Sequence, residues 1–267
     1  MKLAIFSDVH SNPHAFQLAY KDATERNDCD SVVCLGDVVG YGPDPIGSID
    51  EITGRCDFCL MGNHDACIVG KLPMMWFGET AANVIRKQKP IILNREKQYN
   101  WLKSLDYTKT LEFDDAEDTI RIQFTHGNNY DPKNFAYITD TMDSCPAFVK
   151  MIRDNVDILF VGHTHEPRIF IQHKKDDLDI YDNYPMSIAV VHESEFKFDS
   201  KTRMIVNVGS VGYPRICRYS TYCILDTETF VVKHVFLPFD FSSYAKSLTD
   251  NDIPIPMWLD WHLERNH

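Results

Sequence analysis

The sequence predicts an α/β fold, in which short buried strands alternate with helices. Three observations support this prediction. Short apolar runs recur along the chain, each run is followed by Gly, Asp, Asn or His, and helical segments separate several of the runs. Ligands of such folds bind at the carboxyl ends of the strands, so the polar residues that follow the runs are expected to meet at one edge of the sheet.

The predicted strands are short, apolar and partly β-branched, as buried strands are. They cover residues 3–6, 32–35, 58–61, 120–124, 158–161 and 204–206. The pair Cys56 and Cys59 has the C-x-x-C spacing and falls at the third run. No second pair follows at zinc-finger spacing, so this stretch is interpreted as a strand with small apolar side chains.

Four helices are predicted between and after these strands. They cover residues 12–27, 80–89, 94–105 and 146–154. Asn12 can cap the first helix, and Pro13 suits its first helical position. Pro90 is expected to separate the second helix from the third, because proline breaks a helix interior, and Asn94 is expected to cap the third.

The chain is predicted to form one domain, 1–267, since α/β domains often reach this length. Residues 173–203 predict a hairpin-like insertion that either lines the substrate cleft or faces solvent. Residues 240–267 predict two short helices that close the domain. Trp76 and Phe77 follow a turn and are either core residues or part of an apolar or nucleobase pocket.

The composition limits the possible partners. The formal net charge is −12, and no basic stripe is present, so nucleic-acid binding is not expected. The first apolar run is too short for an export signal or a membrane span, so the eight cysteines are expected to be reduced and the protein cytoplasmic, without membrane partners. No oligomeric state is predicted. Phosphate chemistry in so acidic a chain requires a local positive centre.

The polar residues after the strands have the chemistry of metal ligands. They are Asp8, His10, Asp37, Asn63, His126, His163 and His165. Asp8 and His10 lie at the end of a predicted strand, and if that strand continues, alternation points both to similar sides, so that both can reach one ion. Asp37 has two oxygens and can bridge two ions. Mixed nitrogen and oxygen donors suit Mn, Fe, Zn, Co or Ni better than Ca or Mg.

Two divalent ions are favoured by charge. They would outweigh the two carboxylates and leave a positive centre that suits a phosphate and a bound hydroxide. Two metals about 3.5–4 Å apart can clamp the attacking and leaving oxygens, and a metal can lower the pKa of bound water to about 7. The ordered combination of D-x-H, G-D, G-N-H-D, H-G and G-H-x-H is highly specific, although each motif alone is weak.

These motifs resemble those of the calcineurin-like metallophosphoesterases. The matching stretches span residues 7–212 and are S-D-V-H (7–10), G-D-V-V-G-Y-G-P-D-P (36–45), G-N-H-D (62–65), T-H-G (125–127), G-H-T-H (162–165) and N-V-G-S-V-G (207–212). The form of the second stretch resembles compact prokaryotic-type members, which are related to small phosphodiesterases and some dinucleoside polyphosphate hydrolases.

The resemblance implies a four-layer α/β/β/α sandwich with two divalent transition-metal ions at its edge, manganese being the first choice. It implies that the first ion is held by Asp8, His10, Asp37 and His165, and the second by Asp37, Asn63, His126 and His163. It further implies that His64 protonates the leaving oxygen and that Asp65 holds the ring of His64, which needs a partner to fix its tautomer.

The chain departs from the Ser/Thr protein phosphatases of this superfamily, which carry G-D-x-x-D-R-G and R-G-N-H-E. Tyr41 and Met61 stand at the two arginine positions here. Because arginine grips phosphate through two parallel hydrogen bonds, its absence should weaken the hold on a phosphate dianion. Arg215 is a candidate substrate-binding replacement, with a solvated surface arginine as the alternative.

The predicted function is therefore hydrolysis of a small phosphoester by metal-bound hydroxide, without a covalent enzyme intermediate. A phosphodiester or a nucleotide-type pyrophosphate is the preferred substrate class. The alternatives are a phosphomonoesterase, including a protein phosphatase, and a non-catalytic scaffold of the same fold. A scaffold would be expected to lack the leaving-group histidine or some of the ligands, and this sequence retains them all.

Overall fold

A computed structural model of the protein describes residues 1–115, 118–174, 183–215 and 218–264. Its strands are β1 (Lys2–Phe6), β2 (Ser31–Cys34), β3 (Phe58–Cys59), β4 (Thr108–Asp115), β5 (Asp118–Thr125), β6 (Ile158–Val161), β7 (Arg168–His173), β8 (Met186–Ala189), β9 (Ser194–Lys197), β10 (Thr202–Asn207), β11 (Tyr219–Asp226) and β12 (Val231–Pro238). Its α-helices are α1 (Pro13–Lys21), α2 (Pro45–Arg55), α3 (Asn63–Ile68), α4 (Glu79–Leu93), α5 (Glu96–Ser104), α6 (Thr141–Asp154), α7 (Phe241–Asp250) and α8 (Met257–Glu264).

The strands form two six-stranded mixed sheets. The first has the order β3-β2-β1-β11-β12-β9, and the second has the order β4-β5-β6-β10-β7-β8. Strands β1, β2 and β3 run parallel to one another, as do β5, β6 and β10. The predicted ligands follow β1, β2, β3, β5 and β6, so the parallel part of each sheet brings the carboxyl ends of these strands to the same edge.

Alternation along β1 shows how the layers pack. Ala4 and Phe6 face the apolar cluster beneath α1, α2 and α4, whereas Leu3 and Ile5 join a second cluster that lies between the two sheets. On the far side of the second sheet, Phe148 of α6 packs against that sheet in a third cluster. The order of layers is therefore helices, sheet, sheet and helix, which confirms the four-layer α/β/β/α prediction.

The strand predictions agree with the structure better than the helix predictions do. Every predicted strand is present, although the third is reduced to Phe58–Cys59. The first predicted helix is α1 followed by a π-helical turn, Asp22–Arg26, and the Asn12 side chain accepts a hydrogen bond from the backbone of Ala15 at 3.2 Å. Helix α2 was not predicted, although Asp44 caps it and Pro45 occupies its first turn.

The predicted break at Pro90 is wrong. Helix α4 continues through Pro90 to Leu93, and Asn94 caps the end of α4 instead of the start of α5. A proline inside a helix costs about 3 kcal/mol, but Pro90 is solvent-exposed and the next turn buries Ile92 completely. Burial of such a side chain contributes about 1.5–3 kcal/mol, which offsets most of that cost.

The start predicted for the fourth helix at residue 146 is also wrong. Helix α6 begins at Thr141, where the side chain of Asp140 accepts a hydrogen bond from the backbone of Asp143, and Pro146 lies inside the helix. The cap at Asp140 fixes the first turn before the chain reaches the proline. A capping residue upstream of Pro146 was the signal for this earlier start.

Residues 173–203, where a hairpin is predicted, contribute to both sheets. Strand β8 pairs antiparallel with β7 in the second sheet, whereas β9 pairs with β12 at the edge of the first sheet. Residues 175–182 of that prediction lie outside the described residues, as do Cys217 and 265–267. Helices α7 and α8 occupy the C-terminal segment. Among the helices in the described ranges, none combines the length and apolar character needed to cross a membrane.

Candidate metal centre

The seven predicted ligands lie together, buried at the edge formed by the carboxyl ends of the parallel strands. Three groups of side chains place their ligand atoms within 4.8 Å of one another: Asp8, His10 and His165; His10, Asp37 and His64; and Asp37, His126 and His163. Asn63 joins the last group, because its Oδ1 lies 3.2 Å from Nε2 of His126. Residues up to 157 positions apart along the chain thus converge.

The first group is centred on Oδ1 of Asp8. This atom lies 3.1 Å from Nε2 of His165 and 3.5 Å from Nε2 of His10. The other oxygen of Asp8 accepts a hydrogen bond from the backbone N–H of His163 at 2.9 Å. One oxygen therefore anchors the loop after β6, and the other faces the imidazole nitrogens.

Asp37 lies between the two groups of imidazoles. Its Oδ2 is 3.6 Å from Nε2 of His10 and 3.4 Å from Nε2 of His126. Its Oδ1 accepts a hydrogen bond from the backbone N–H of His64 at 2.9 Å. A single buried oxygen thus faces one histidine from each predicted ligand set, which is the arrangement a bridging carboxylate requires.

The donor set fits cations rather than internal hydrogen bonds. Nδ1 of His10, His126 and His165 lies 3.1, 3.1 and 2.7 Å from the backbone carbonyls of Val39, Leu35 and Tyr213. A carbonyl only accepts, so each Nδ1 carries a proton, and each Nε2 presents a lone pair to the cluster whenever it is not itself protonated.

Two of these lone-pair atoms, Nε2 of His10 and Nε2 of His165, lie only 3.1 Å apart. They surround Oδ1 of Asp8, which is buried without a hydrogen-bond partner among the described residues. Facing acceptors repel one another in a low-dielectric interior. A divalent cation between them would satisfy all three atoms, so the residues present fit a metal.

The electrostatics of the cluster point the same way. Burial lowers the pKa of His163 to about 3 and that of His165 to about 4, so both rings are neutral at pH 7 and their lone pairs are available. Burial also lowers the pKa of His126, but the carboxylates of Asp37 and Asp8 outweigh it and raise the pKa to about 9. The cluster therefore attracts positive charge strongly.

The ligand loops have an unusual backbone. Five of the seven candidate ligands, namely Asp8, His10, Asp37, His163 and His165, have positive φ between 48° and 67°. Strand β1 ends at Phe6 and the chain turns there, so Asp8 and His10 are not brought to one side by the alternation of a continuing strand. Such conformations cost about 1–3 kcal/mol each. These turns allow side chains close together in sequence to face the same cluster, whereas adjacent side chains of an extended strand point to opposite faces.

The N-V-G-S-V-G stretch holds the ligand loops in place. The side-chain amide of Asn207 donates to the carbonyl of Gly162 at 2.7 Å and to Oγ1 of Thr164 at 2.9 Å. Oγ of Ser210 donates to the carbonyl of Asp8 at 2.9 Å. These bonds tie the loop after β6 and the loop after β1 to the end of β10. The motif thus acts through backbone support instead of direct ligation.

The predicted contact between Asp65 and the ring of His64 is wrong. The Asp65 carboxylate accepts hydrogen bonds from the backbone N–H groups of Val38, Val39 and Gly62 at 3.3, 3.2 and 3.0 Å. Both of its oxygens are used in this way, and the bond from Gly62 arises because Asp65 occupies the third position of α3 and reaches back to the backbone of the N-cap. Nδ1 of His64 is buried without a hydrogen-bond partner among the described residues.

Packing, rather than a carboxylate, holds the His64 ring. The rings of His10, Tyr41 and Phe77 lie 4.9, 4.6 and 4.9 Å from it. Gly40, at φ +95°, lies directly against the ring, since an added Cβ would approach Nδ1 of His64 to 2.2 Å. Phe77 therefore contacts the predicted catalytic residue, whereas Trp76 remains 59% exposed beside it.

Arg215 lies over an aromatic platform near the cluster. Its guanidinium carbon is 5.5 Å from the ring centre of Tyr41 and 5.8 Å from that of Tyr213, and these two rings stack at 4.1 Å. It also interacts with the phenol of Tyr137, and its charge acts on His64. Arg215 is thus half-buried and faces the site, and it is not a solvated surface arginine.

Two residues near the centre were missed in the sequence. Tyr137 stacks on His163, with ring centres 4.0 Å apart, and no local motif marks it. Gln88 of α4 is 2% exposed and bonds the loop that carries Tyr41. A signal for Gln88 did exist, because it shares the helical spacing of the apolar residues Ala81, Ile85 and Ile92.

The hydrogen bonds of Asp65 yield a prediction. Asp65→Asn should destabilise the protein by about 1–3 kcal/mol, because an amide NH₂ would face backbone N–H donors and leave at least one of them unsatisfied. Urea unfolding of the metal-loaded protein measures this difference. Asp57→Asn is a useful control, since Asp57 also accepts from backbone but lies away from the metal centre. Unchanged stability with an activity loss matching that of a His64 variant would contradict the backbone role.

Comparison with known proteins agrees with this geometry. The family model described as calcineurin-like phosphoesterase superfamily domain matches residues 1–230. An uncharacterized protein of Methanocaldococcus jannaschii is 28% identical over 256 residues, which cover 94% of this chain and 93% of that protein.

Solved structures share the fold. A metallophosphoesterase from Sphaerobacter thermophilus has a TM-score of 0.74 at 22% identity, with 97% of each chain covered. A hypothetical protein from Pyrococcus horikoshii has a TM-score of 0.67 at 14% identity, with 95% of this chain and 94% of that chain covered. The family match, the shared fold and the buried Asp and His clusters lead to one conclusion: the chain belongs to the calcineurin-like phosphoesterase superfamily and is a phosphoester hydrolase.

Proposed function

We propose that this chain hydrolyses phosphodiesters or nucleotide-type pyrophosphates with two divalent transition-metal ions. The observation that carries the proposal is the position of Oδ2 of Asp37, which faces Nε2 of His10 on one side and Nε2 of His126 on the other. We assign Asp8, His10, Asp37 and His165 to the first ion. Asp37, Asn63, His126 and His163 are assigned to the second.

Manganese is our first choice for both ions, with Fe, Zn, Ni and Co as alternatives, because four imidazoles accompany the oxygen donors. When bound, the ions would offset the charge of the phosphate and lower the pKa of a coordinated water to about 7. The protein supplies the geometry: Asp8 and Asp37 each use one oxygen to fix a loop backbone, at 2.9 Å in both cases, and keep the other for the ions.

The number of arginines near the site favours a substrate whose phosphate group carries a single negative charge. Tyr41 and Met61 replace the two arginines of the protein phosphatases, and Met61 is fully buried. Arg215 comes from another loop and lies over the ring of Tyr41. This chain therefore offers one guanidinium near the site, whereas the protein phosphatases use two to bind a terminal phosphate. A single arginine suits the monoanion of a diester or of an internal pyrophosphate better than a dianion. We therefore assign Arg215 to substrate binding.

His64 is the proposed proton donor to the leaving oxygen. It lies in a ligand-atom group with His10 and Asp37, and its ring is held by the contacts of Gly40, Tyr41 and Phe77. Burial lowers the pKa of His64, so the ring gives up a proton readily once it holds one. Asp65 contributes by fixing the backbone that carries His64.

The scaffold alternative is not favoured, because the leaving-group histidine and all proposed ligands lie within one buried cluster. We further propose that the protein forms a single domain and acts in the cytoplasm. The seven described cysteines are all free, which fits a reducing compartment.

A substrate comparison tests the proposal. Bis-p-nitrophenyl phosphate and dinucleoside polyphosphates should be turned over with higher kcat/KM than p-nitrophenyl phosphate, in the presence of Mn, Ni, Co, Zn or Mg assayed separately. Arg215→Ala should lower kcat/KM for the diester by about 10- to 100-fold, the value of one charge-assisted hydrogen bond. Arg218→Ala is the control, since Arg218 is exposed nearby. A preference for the monoester would indicate a phosphomonoesterase, and inactivity on every substrate with metals bound would indicate a scaffold.

The role of His64 has a separate test. His64→Gln should retain two metal ions per chain and slow turnover by roughly 10²–10⁴-fold, which is the usual contribution of a general acid or base. The loss should be greatest for aryl diesters with leaving groups of high pKa, since these depend most on protonation. Metal analysis and a series of substituted aryl diesters provide the measurement. Equal losses across the series would exclude proton donation by His64.

A further inference from the structure

Gln88 is a buried polar residue on an otherwise apolar helix face. It lies on α4, only 2% exposed, among the buried residues Ala81, Val84, Ile85 and Ile92. Burying an amide is unfavourable unless its hydrogen-bonding groups are satisfied. The partners of Gln88 therefore show what this residue stabilises.

The amide of Gln88 joins two loops of the metal centre. Its Oε1 accepts a hydrogen bond from the backbone N–H of Gly40 at 2.8 Å. Its Nε2 donates to the carbonyl of Gly42 at 2.7 Å and to Oγ of Ser11 at 3.0 Å. Ser11 follows the ligand His10, and Gly40 to Gly42 follow the ligand Asp37, so one side chain fixes the spacing between the two loops.

The Gly40–Gly42 loop, which Gln88 fixes, contacts the proposed proton donor His64 and the platform beneath Arg215. Gly40 lies against the His64 ring, and Tyr41 contacts that ring at 4.6 Å. Tyr41 also stacks on Tyr213 and lies beneath the guanidinium of Arg215. Among the described residues, no carboxylate accepts a hydrogen bond from Nδ1 of His64, since Asp65 is occupied by backbone N–H groups. Movement of this loop would therefore shift His64 and Arg215 together.

We propose that Gln88 is a positioning residue that sets His64 and Arg215 relative to the metal ligands through the Gly40–Gly42 loop. The proposal deepens the proposed function and rests on it for the roles of these two residues. It assigns Gln88 no contact with substrate and no part in metal binding, because the side chains of Asp8, Asp37, His126 and His165 are held by hydrogen bonds to other groups.

Gln88→Met tests this proposal, because methionine has a similar length but makes none of the three hydrogen bonds. The variant should keep two metal ions per chain and lose up to about 10²-fold in kcat, as expected for a misplacement of about 1 Å. The loss should grow with the pKa of the leaving group. In the His64→Gln background, the further loss caused by Gln88→Met should no longer depend on the leaving group, because the proton transfer is already absent and only the displacement of Arg215 remains.

Two further variants keep the test decisive. Ser11→Ala removes only one hydrogen bond of Gln88 and should cause a smaller loss with the same leaving-group dependence, even if Gln88→Met folds poorly. Gln98→Met is the matched control, since Gln98 of α5 bonds only Asp50 in the described structure, and its kinetics should equal those of the wild type. Equal losses for all leaving groups in both Gln88→Met and Ser11→Ala would overturn the positioning role.

A readout without turnover separates this proposal from the proposed function. In metal-free protein with ¹⁵N-labelled histidine, the His64 ring signal, assigned by its loss in His64→Gln, should shift in Gln88→Met and stay unchanged in Gln98→Met. A shifted signal in a protein that hydrolyses no phosphoester would refute the proposed function alone. An unshifted His64 signal in an active Gln88→Met variant would refute the role of Gln88.

Discussion

The concentration of unshared lone pairs around Asp8 and Asp37 is the constraint on which the rest of the structure depends. Two buried carboxylates and several imidazole nitrogens face one another at 3.1–3.6 Å, and a proton on His126 offsets only part of their negative charge. Burying such groups together is costly without positive charge. Their backbone adds to this cost, since five ligands adopt positive φ. An arrangement that is unfavourable by itself becomes favourable once divalent ions bind, so metal binding and the order of these loops are coupled.

The surrounding fold maintains this arrangement mainly through hydrogen bonds to the backbone of the ligand-bearing loops, and less through bonds to the ligand side chains. Asn207 and Ser210 fix the loops after β6 and β1, and Asp65 fixes the loop after β2. Gln88 reaches the same loop from the opposite side, out of the helical layer. The catalytic edge is thus supported from both the second sheet and the helices, which explains why residues remote from the metals in sequence can alter the geometry of the reacting groups.

The sequence predicted the strands well, and it singled out the polar residues that converge at the buried edge, because both depend on short local patterns, whereas the four-layer arrangement was implied by the family resemblance. Apolar runs mark buried strands, and Asp, His or Asn directly after a run marks the edge where strands end. Prediction failed where a local rule competed with tertiary packing. Pro90 does not end α4, since burial of Ile92 offsets the proline, and Asp65 bonds backbone from loops that only the folded chain brings near. The cation–aromatic platform of Arg215, Tyr41 and Tyr213 likewise joins residues of two loops far apart in sequence, for which a single sequence carries no signal.

We propose that Asp37 bridges two metal ions. The most direct test is a crystal structure of the manganese-loaded protein with anomalous diffraction data collected on both sides of the manganese absorption edge. We predict two anomalous peaks about 3.5–4 Å apart, with one Asp37 oxygen between them, His10 and His165 beside one peak, and His126 and His163 beside the other. A single peak bound by all the histidines, or two peaks with Asp37 turned away from one of them, would contradict it.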